Sequence, residues 1–147
     1  MTRWVLDTNV FVRAWRDRQA RLALDAFLDV RLGRLDFAAT VWLELQTGVR
    51  SRESQSDVDW LLAPFRRRNA VLAPSTDAFQ QAGRILADLV TRDGLDFTTM
   101  SPALHHDAIL AATVREHRRV LVTHNVHDFA RIQRHLRGFR FVTPYPH

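Results

Sequence analysis

Four acids stand at conspicuous places in the chain: Asp7, Glu44, Asp107 and Asp128. Asp7 follows Trp4, Val5 and Leu6, so an acid ends a short buried strand. Thr8 and Asn9 come next, and all three residue types cap helices well; taken alone, Asp7 reads as a cap. Glu44 lies in "TVWLELQTG", where its helical neighbours are Val41 and Gly48. Alone it reads as a surface residue, although Gly48 leaves room for something to approach. Asp107 is surrounded on its helix by Ala103, Leu104, Leu110, Ala111 and Val114. It interrupts an apolar stripe, and a buried carboxylate must be paired, protonated or bound to a cation. An arginine partner is the structural alternative. Asp128 follows Asn125 in "LVTHNVHDF", a spacing that also resembles a capping box.

Together the acids carry more. Asp7 and the turn containing Asp128 both follow strands expected near the centre of a sheet, Glu44 lies early in a helix that follows another strand, and Asp107 faces inward. Carboxylates gathered at one edge repel one another without a counter-ion. Hard oxygen donors suit Mg²⁺ or Mn²⁺. Such an ion, beside arginine-rich surface, points to phosphoryl chemistry with activated water.

The elements that position these acids follow from periodicity. Residues 3–7, 35–39, 70–74 and 118–124 are short apolar strands, and "FRFVTP" is a last one. Helices are expected over 9–16, 20–32, from Thr40 to Gly48, over 54–68, and from Ser75 or Thr76 to about Arg92. Ser101 followed by Pro102 is a strong start signal for the helix carrying Asp107. "NVHDFARI" is a short helix, and residues 94–100 are a loop. Strands alternating with helices predict an α/β fold with a parallel sheet covered on both faces. In such sheets ligands sit outside the C-terminal strand ends, where Asp7 and Thr123 fall.

The chain has 147 residues, 46% of them hydrophobic, which suits one domain spanning 1–147. With no cysteine, thiolate chemistry and Cys-based zinc sites are excluded. No signal peptide and no apolar run of about 20 residues is found, so a cytoplasmic, soluble chain is expected. Net charge is +5, and all 21 basic residues are arginine. Arginine pairs bidentately with phosphate, so nucleic acid is a natural partner; an arginine-rich coding bias produces the same composition. His105 and His106 diverge on a helix and cannot share a metal. A dehalogenase-type phosphatase needs an acid two residues after Asp7, where Asn9 stands, and a receiver domain needs a lysine. Trp42 and Trp60 lie among leucines at helical spacing and are expected in the core.

"VLDTNV", "ELQTGVR", "HHDAILAA" and "LVTHNVHDF" occur in the order and spacing of PIN-domain ribonucleases. The chain resembles the VapC-type toxins of bacterial toxin–antitoxin pairs, and the motifs span residues 5 to 129. The resemblance implies a three-layer α/β/α sandwich with a central, mainly parallel sheet. It implies a Mg²⁺-dependent endoribonuclease, with Mn²⁺ able to substitute, that leaves 5′-phosphate and 3′-hydroxyl ends. Asp7, Glu44, Asp107 and Asp128 carry over as metal-binding and catalytic acids. Thr8, Asn9, Thr123 and Asn125 carry over as support, and either Asp128 or Asn125 is the fourth ligand. Arg13, Arg16 and Arg50 are candidate holders of the RNA backbone. The expected partners are RNA, a VapB-type antitoxin and a second copy of the chain. A PIN-like module that binds RNA or protein without cleaving is the alternative.

Overall fold

All of residues 1–147 are described by the computed structural model. Its central strand is β1 (Trp4–Leu6), where three consecutive apolar residues are all buried because helices cover both faces of the sheet. The others are β2 (Leu35–Ala38), β3 (Val71–Leu72), β4 (Val120–Val122) and β5 (Phe141–Val142). All pairings are parallel, and the order is β3-β2-β1-β4-β5. The strand order reverses at β1, between β2 on one side and β4 on the other, which is the place where parallel sheets open a crevice.

Seven helices make the crossovers: α1 (Thr8–Arg16), α2 (Arg18–Arg31), α3 (Ala39–Thr47), α4 (Arg52–Arg67), α5 (Thr76–Thr91), α6 (Pro102–Glu116) and α7 (Val126–Gln133). The result is the expected three-layer α/β/α sandwich. One core of 35 buried apolar residues runs through it. Helix α6 is almost wholly buried from Asp107 to Val114, with small residues Ala108, Ala111 and Ala112 letting it pack closely. Phe11, Phe37 and Phe65 form one aromatic chain in the core. Phe129, Phe139 and Phe141 form another beside β5.

Several boundaries differ from expectation. Helix α3 begins at Ala39, not after a Thr40 cap; Ala38 holds the cap position with no side-chain hydrogen bond. Strand β2 runs straight into α3, so no loop residue intervenes to serve as a cap. Helix α4 starts at Arg52, because Ser51 and Ser54 cap each other reciprocally, a role usually filled by Glu or Gln at the second position. The loop over 94–100 contains a single 3₁₀ turn, Phe97–Thr99, capped by Asp96.

The tryptophans correct the core prediction. Trp60 is 76% exposed. The inward stripe of α4 is Val58, Leu62 and Phe65, which turns Trp60 to the opposite face. Trp42 is only partly buried and lies under the Arg66 guanidinium, 5.6 Å from the ring centre.

The two ends of the sheet differ in charge. At the N-terminal ends of the strands, Arg3 and Arg119 both bond Asp36, which is buried in β2. Burial alone would raise the Asp36 carboxyl, but the two arginines outweigh it and hold it below its usual range. This trio, which the sequence reading did not identify, ties β1, β2 and β4 together. The opposite end carries acids.

Candidate active site

Asp7 sits at the tip of β1 and is 4% exposed. It does occupy the cap position of α1, and its Oδ1 accepts from the Thr8 N–H at 2.8 Å. Capping is not its only contact. Oδ2 accepts from the Thr123 hydroxyl at 2.7 Å and from Asn9 Nδ2 at 3.1 Å. A carboxylate has about four acceptor sites, so three internal bonds leave one free. Burial pushes the Asp7 carboxyl up, and the bonds from Thr123, Thr8 and Asn9 offset this only in part.

Thr123, at the tip of β4, is fully buried and uses its whole hydroxyl. It donates to Asp7 and accepts from Asn9 Nδ2 and from the Asn125 N–H. Asn9 also accepts from the His124 N–H, so two strand-end turns are joined by one side chain. Asn125 caps α7 by accepting from the Asp128 N–H. Its Nδ2 then reaches Asp107 at 3.2 Å and Asp128 at 3.1 Å. The turn therefore caps α7, and the same side chain also touches two of the candidate acids.

Asp107 projects from α6 into this group. Its carboxyl is raised to about 8, first by burial and then by the charges of Asp7, Asp128 and Glu44. All four predicted acids thus share one electrostatic neighbourhood. Glu44, on α3, is raised by burial and by Asp7, with a weaker opposing pull from His106 and Thr8. The Thr8 hydroxyl is buried and makes no well-formed hydrogen bond. His106 lies close enough to influence Glu44, and nothing in its spacing signalled this.

No arginine forms an ion pair with Asp7, Glu44 or Asp107; Asp128 alone has one, Arg131 at 3.5 Å. The arginine-paired alternative for Asp107 is thereby removed. No three Asp, Glu or His side chains close on a single point as in an assembled metal cage. The donor chemistry nonetheless fits a hard cation. All donors are oxygens, and Mg²⁺ keeps several waters and binds through only one or two carboxylates. A carboxyl forced up to about 8, first by burial and then by like charges, needs a proton or a cation at neutral pH.

The candidate backbone-holding arginines differ in position. Arg13 lies at the rim, with Nη1 3.1 Å from His124 Nδ1. Burial, then the Arg13 charge, lowers the His124 pKa, so its neutral ring accepts from Arg13. Arg16 shares a recess with Glu44, Trp15 and Gly48. Arg50 folds back and donates to the Thr47 and Val49 carbonyls.

A parallel α/β/α domain with oxygen donors gathered at its central strand tips defines the class. The chain belongs to the PIN-domain family, whose family model matches residues 4–135. Among solved structures it is similar to a DNA-bound VapBC from Salmonella typhimurium, at 24% identity, covering 97% of this chain and 98% of that one, with a TM-score of 0.70. VapBC-1 from nontypeable Haemophilus influenzae matches at 20% identity over 95% and 96% of the two chains, TM-score 0.66. A toxin–antitoxin complex from Klebsiella pneumoniae matches at 26% over 97% and 98%, TM-score 0.59. No curated protein is significantly similar to the chain.

Proposed function

We propose that this PIN domain is a Mg²⁺-dependent endoribonuclease, the toxin of a type II toxin–antitoxin pair acting in the cytoplasm. The observation that carries the reading is the hydrogen-bonded network that ties Asp7, Thr123, Asn125, Asp107 and Asp128 together, with Asp7, Asp128 and Glu44 near enough to help raise the buried Asp107 carboxyl. These four are the donors that would hold Mg²⁺, or Mn²⁺ in its place. When bound, the ion neutralises developing phosphate charge and makes water a better nucleophile.

The chain's own residues do the rest. Thr123, Asn9 and the Thr8 N–H fix the Asp7 carboxylate, and Asn125 sets the spacing of Asp107 and Asp128. Such supporting bonds keep ligands oriented. Arg13, beside His124, and Arg16, in the recess with Glu44, would hold RNA phosphates near the acids.

Two adjoining recesses, which share Trp15 and Asp57, lead away from Glu44 over α1, α2 and α4. Glu44, Trp15 and Asp57 line one, and Trp15, Trp60, Leu24 and Leu28 line the next. Exposed tryptophans leading to an acidic pocket suit a VapB-type antitoxin segment carrying apolar anchors and a basic residue. An apolar cleft of ≈ 410 Å³ between α5 and α6, lined by Leu86, Val90, Phe97 and Met100, supports a homodimer contact.

The open arrangement of the acids favours one second reading, a PIN-like module that binds RNA or protein without cleaving. Incubation of RNA with the protein in Mg²⁺ or in chelator separates the two. The nuclease reading expects products with 5′-phosphate ends only with Mg²⁺, and none from Asp7→Asn. Wild-type activity in Asp7→Asn would remove the assignment.

A further inference from the structure

The end of the sheet away from the acids is ringed by arginine. Arg3, Arg34, Arg119 and Arg140 each stand immediately before a strand. Two of them are neutralised: Arg3 and Arg119 share Asp36. The others are not. Between the end of α6 and the starts of β4 and β5 lies an open cleft of ≈ 510 Å³ with no hydrophobic lining residue. Its walls include Arg115, Arg118, Arg137 and Arg140, all exposed and none in an ion pair.

The single acid in the cleft does not balance them. Glu116 is already engaged, accepting from the Ser75 N–H and hydroxyl at the start of α5. The cleft is also held in shape. Arg115 Nε donates to the Arg137 carbonyl at 3.1 Å, which leaves the outer nitrogens of its fork free. Gly138 follows with φ +87°, a turn that lets Arg137 and Arg140 flank the same space. Arg118 has φ +57°, a conformation natural to Gly or Asn and unfavourable for a long side chain. The turn therefore carries a charge where an unstrained residue would be neutral.

From this we infer that the Arg115–Arg118–Arg137–Arg140 cleft is a second nucleic-acid contact, binding the sugar–phosphate backbone of single-stranded RNA at the end of the domain opposite the acids. Small organic ligands are disfavoured because their pockets are mainly apolar. A protein partner is disfavoured because the cleft offers no apolar or aromatic anchor. Four clustered guanidinium forks against the one carboxylate of Glu116 leave the excess positive charge that a phosphate backbone requires. The choice of RNA over other phosphodiesters rests on the proposed nuclease reading; the phosphate chemistry does not.

The test is fluorescence anisotropy with a labelled single-stranded RNA in chelator, so that nothing is cut, across a salt series. Arg118→Glu/Arg140→Glu should weaken binding at least about tenfold and lower the salt slope by about 1.4, at roughly 0.7 per phosphate contact. Arg118→Gly relieves the turn, so it should keep its unfolding temperature and still bind several-fold more weakly. Arg18→Glu/Arg84→Glu, which makes the same charge change at exposed positions outside the cleft, should leave affinity within about twofold. Equal loss in that control, an unchanged Arg118→Glu/Arg140→Glu variant, or no RNA binding by the wild type would each overturn the proposal. RNA binding without any Mg²⁺-dependent cleavage would remove the nuclease reading and leave the cleft standing. Cleavage with undiminished binding in Arg118→Glu/Arg140→Glu would do the reverse.

Discussion

The Thr123 hydroxyl donates to Asp7 Oδ2 at 2.7 Å, joining the tips of β4 and β1 across 116 positions of sequence. Both residues are buried, so the bond sits where water cannot replace it. Thr123→Val keeps the shape and removes the donor. The Asp7 carboxylate would then lose one of the bonds that favours its ionised form. We expect a loss of about 1–3 kcal/mol in stability, because a buried acceptor is left short of a partner. Activity should also need higher pH or more Mg²⁺. Urea unfolding and a pH–rate profile check both effects; Thr123→Ser should restore them.

The Asp107 carboxyl sets a pH dependence of unusual sign. Its folded-state pKa, about 8, lies above the ordinary value of 3.8. The folded protein therefore holds this proton more tightly than the unfolded chain does. That contribution to stability is complete below about pH 4 and is lost as pH rises to about 8. Without divalent cation, Asp107→Asn should be more stable than wild type near pH 8, on the order of 2 kcal/mol. The difference should vanish toward pH 4. Chelator-treated proteins unfolded across that range would show it.

Asp36 should behave in the opposite sense. Its pKa is depressed below 3.8, so its contribution is present above that value and lost as pH falls further. Arg3→Ala/Arg119→Ala leaves the carboxylate buried and unpaired, at a cost of about 3–5 kcal/mol. Metal binding at the far end of the strands should be unaffected, which a Mn²⁺ titration of the folded variant would verify.

The two faces of α4 can be separated by unfolding. Leu62→Ala should cost about 2–5 kcal/mol, since Leu62 is 2% exposed. Trp60→Ser, at a position 76% exposed, should change stability by no more than about 0.5 kcal/mol. A large loss in Trp60→Ser would mean the recess is part of the core rather than a surface held open for a partner.

The sequence made much of this legible because the signals were local. Three apolar residues before Asp7, and an acid inside the Leu104–Val114 stripe, each announce their surroundings. Ser101 and Pro102 set the start of α6 for the same reason. What escaped depended on long-range pairing. Asp36 lies in a strand of ordinary apolar character, and its partners Arg3 and Arg119 are 33 and 83 residues away. His106 comes near Glu44 only through the packing of α6 against α3, and Trp60 was misjudged because leucine neighbours in sequence occupy another face of the helix.

The central claim is that Asp7 at the β1 tip, with Glu44, Asp107 and Asp128 beside it, holds a divalent cation. The most direct measurement is thermal unfolding in Mn²⁺ and in chelator at pH 7.5, for wild type and Asp7→Asn. The account predicts a clear Mn²⁺-induced rise in the wild-type unfolding temperature that disappears in Asp7→Asn. A rise of equal size in both proteins, or none in the wild type, would contradict it.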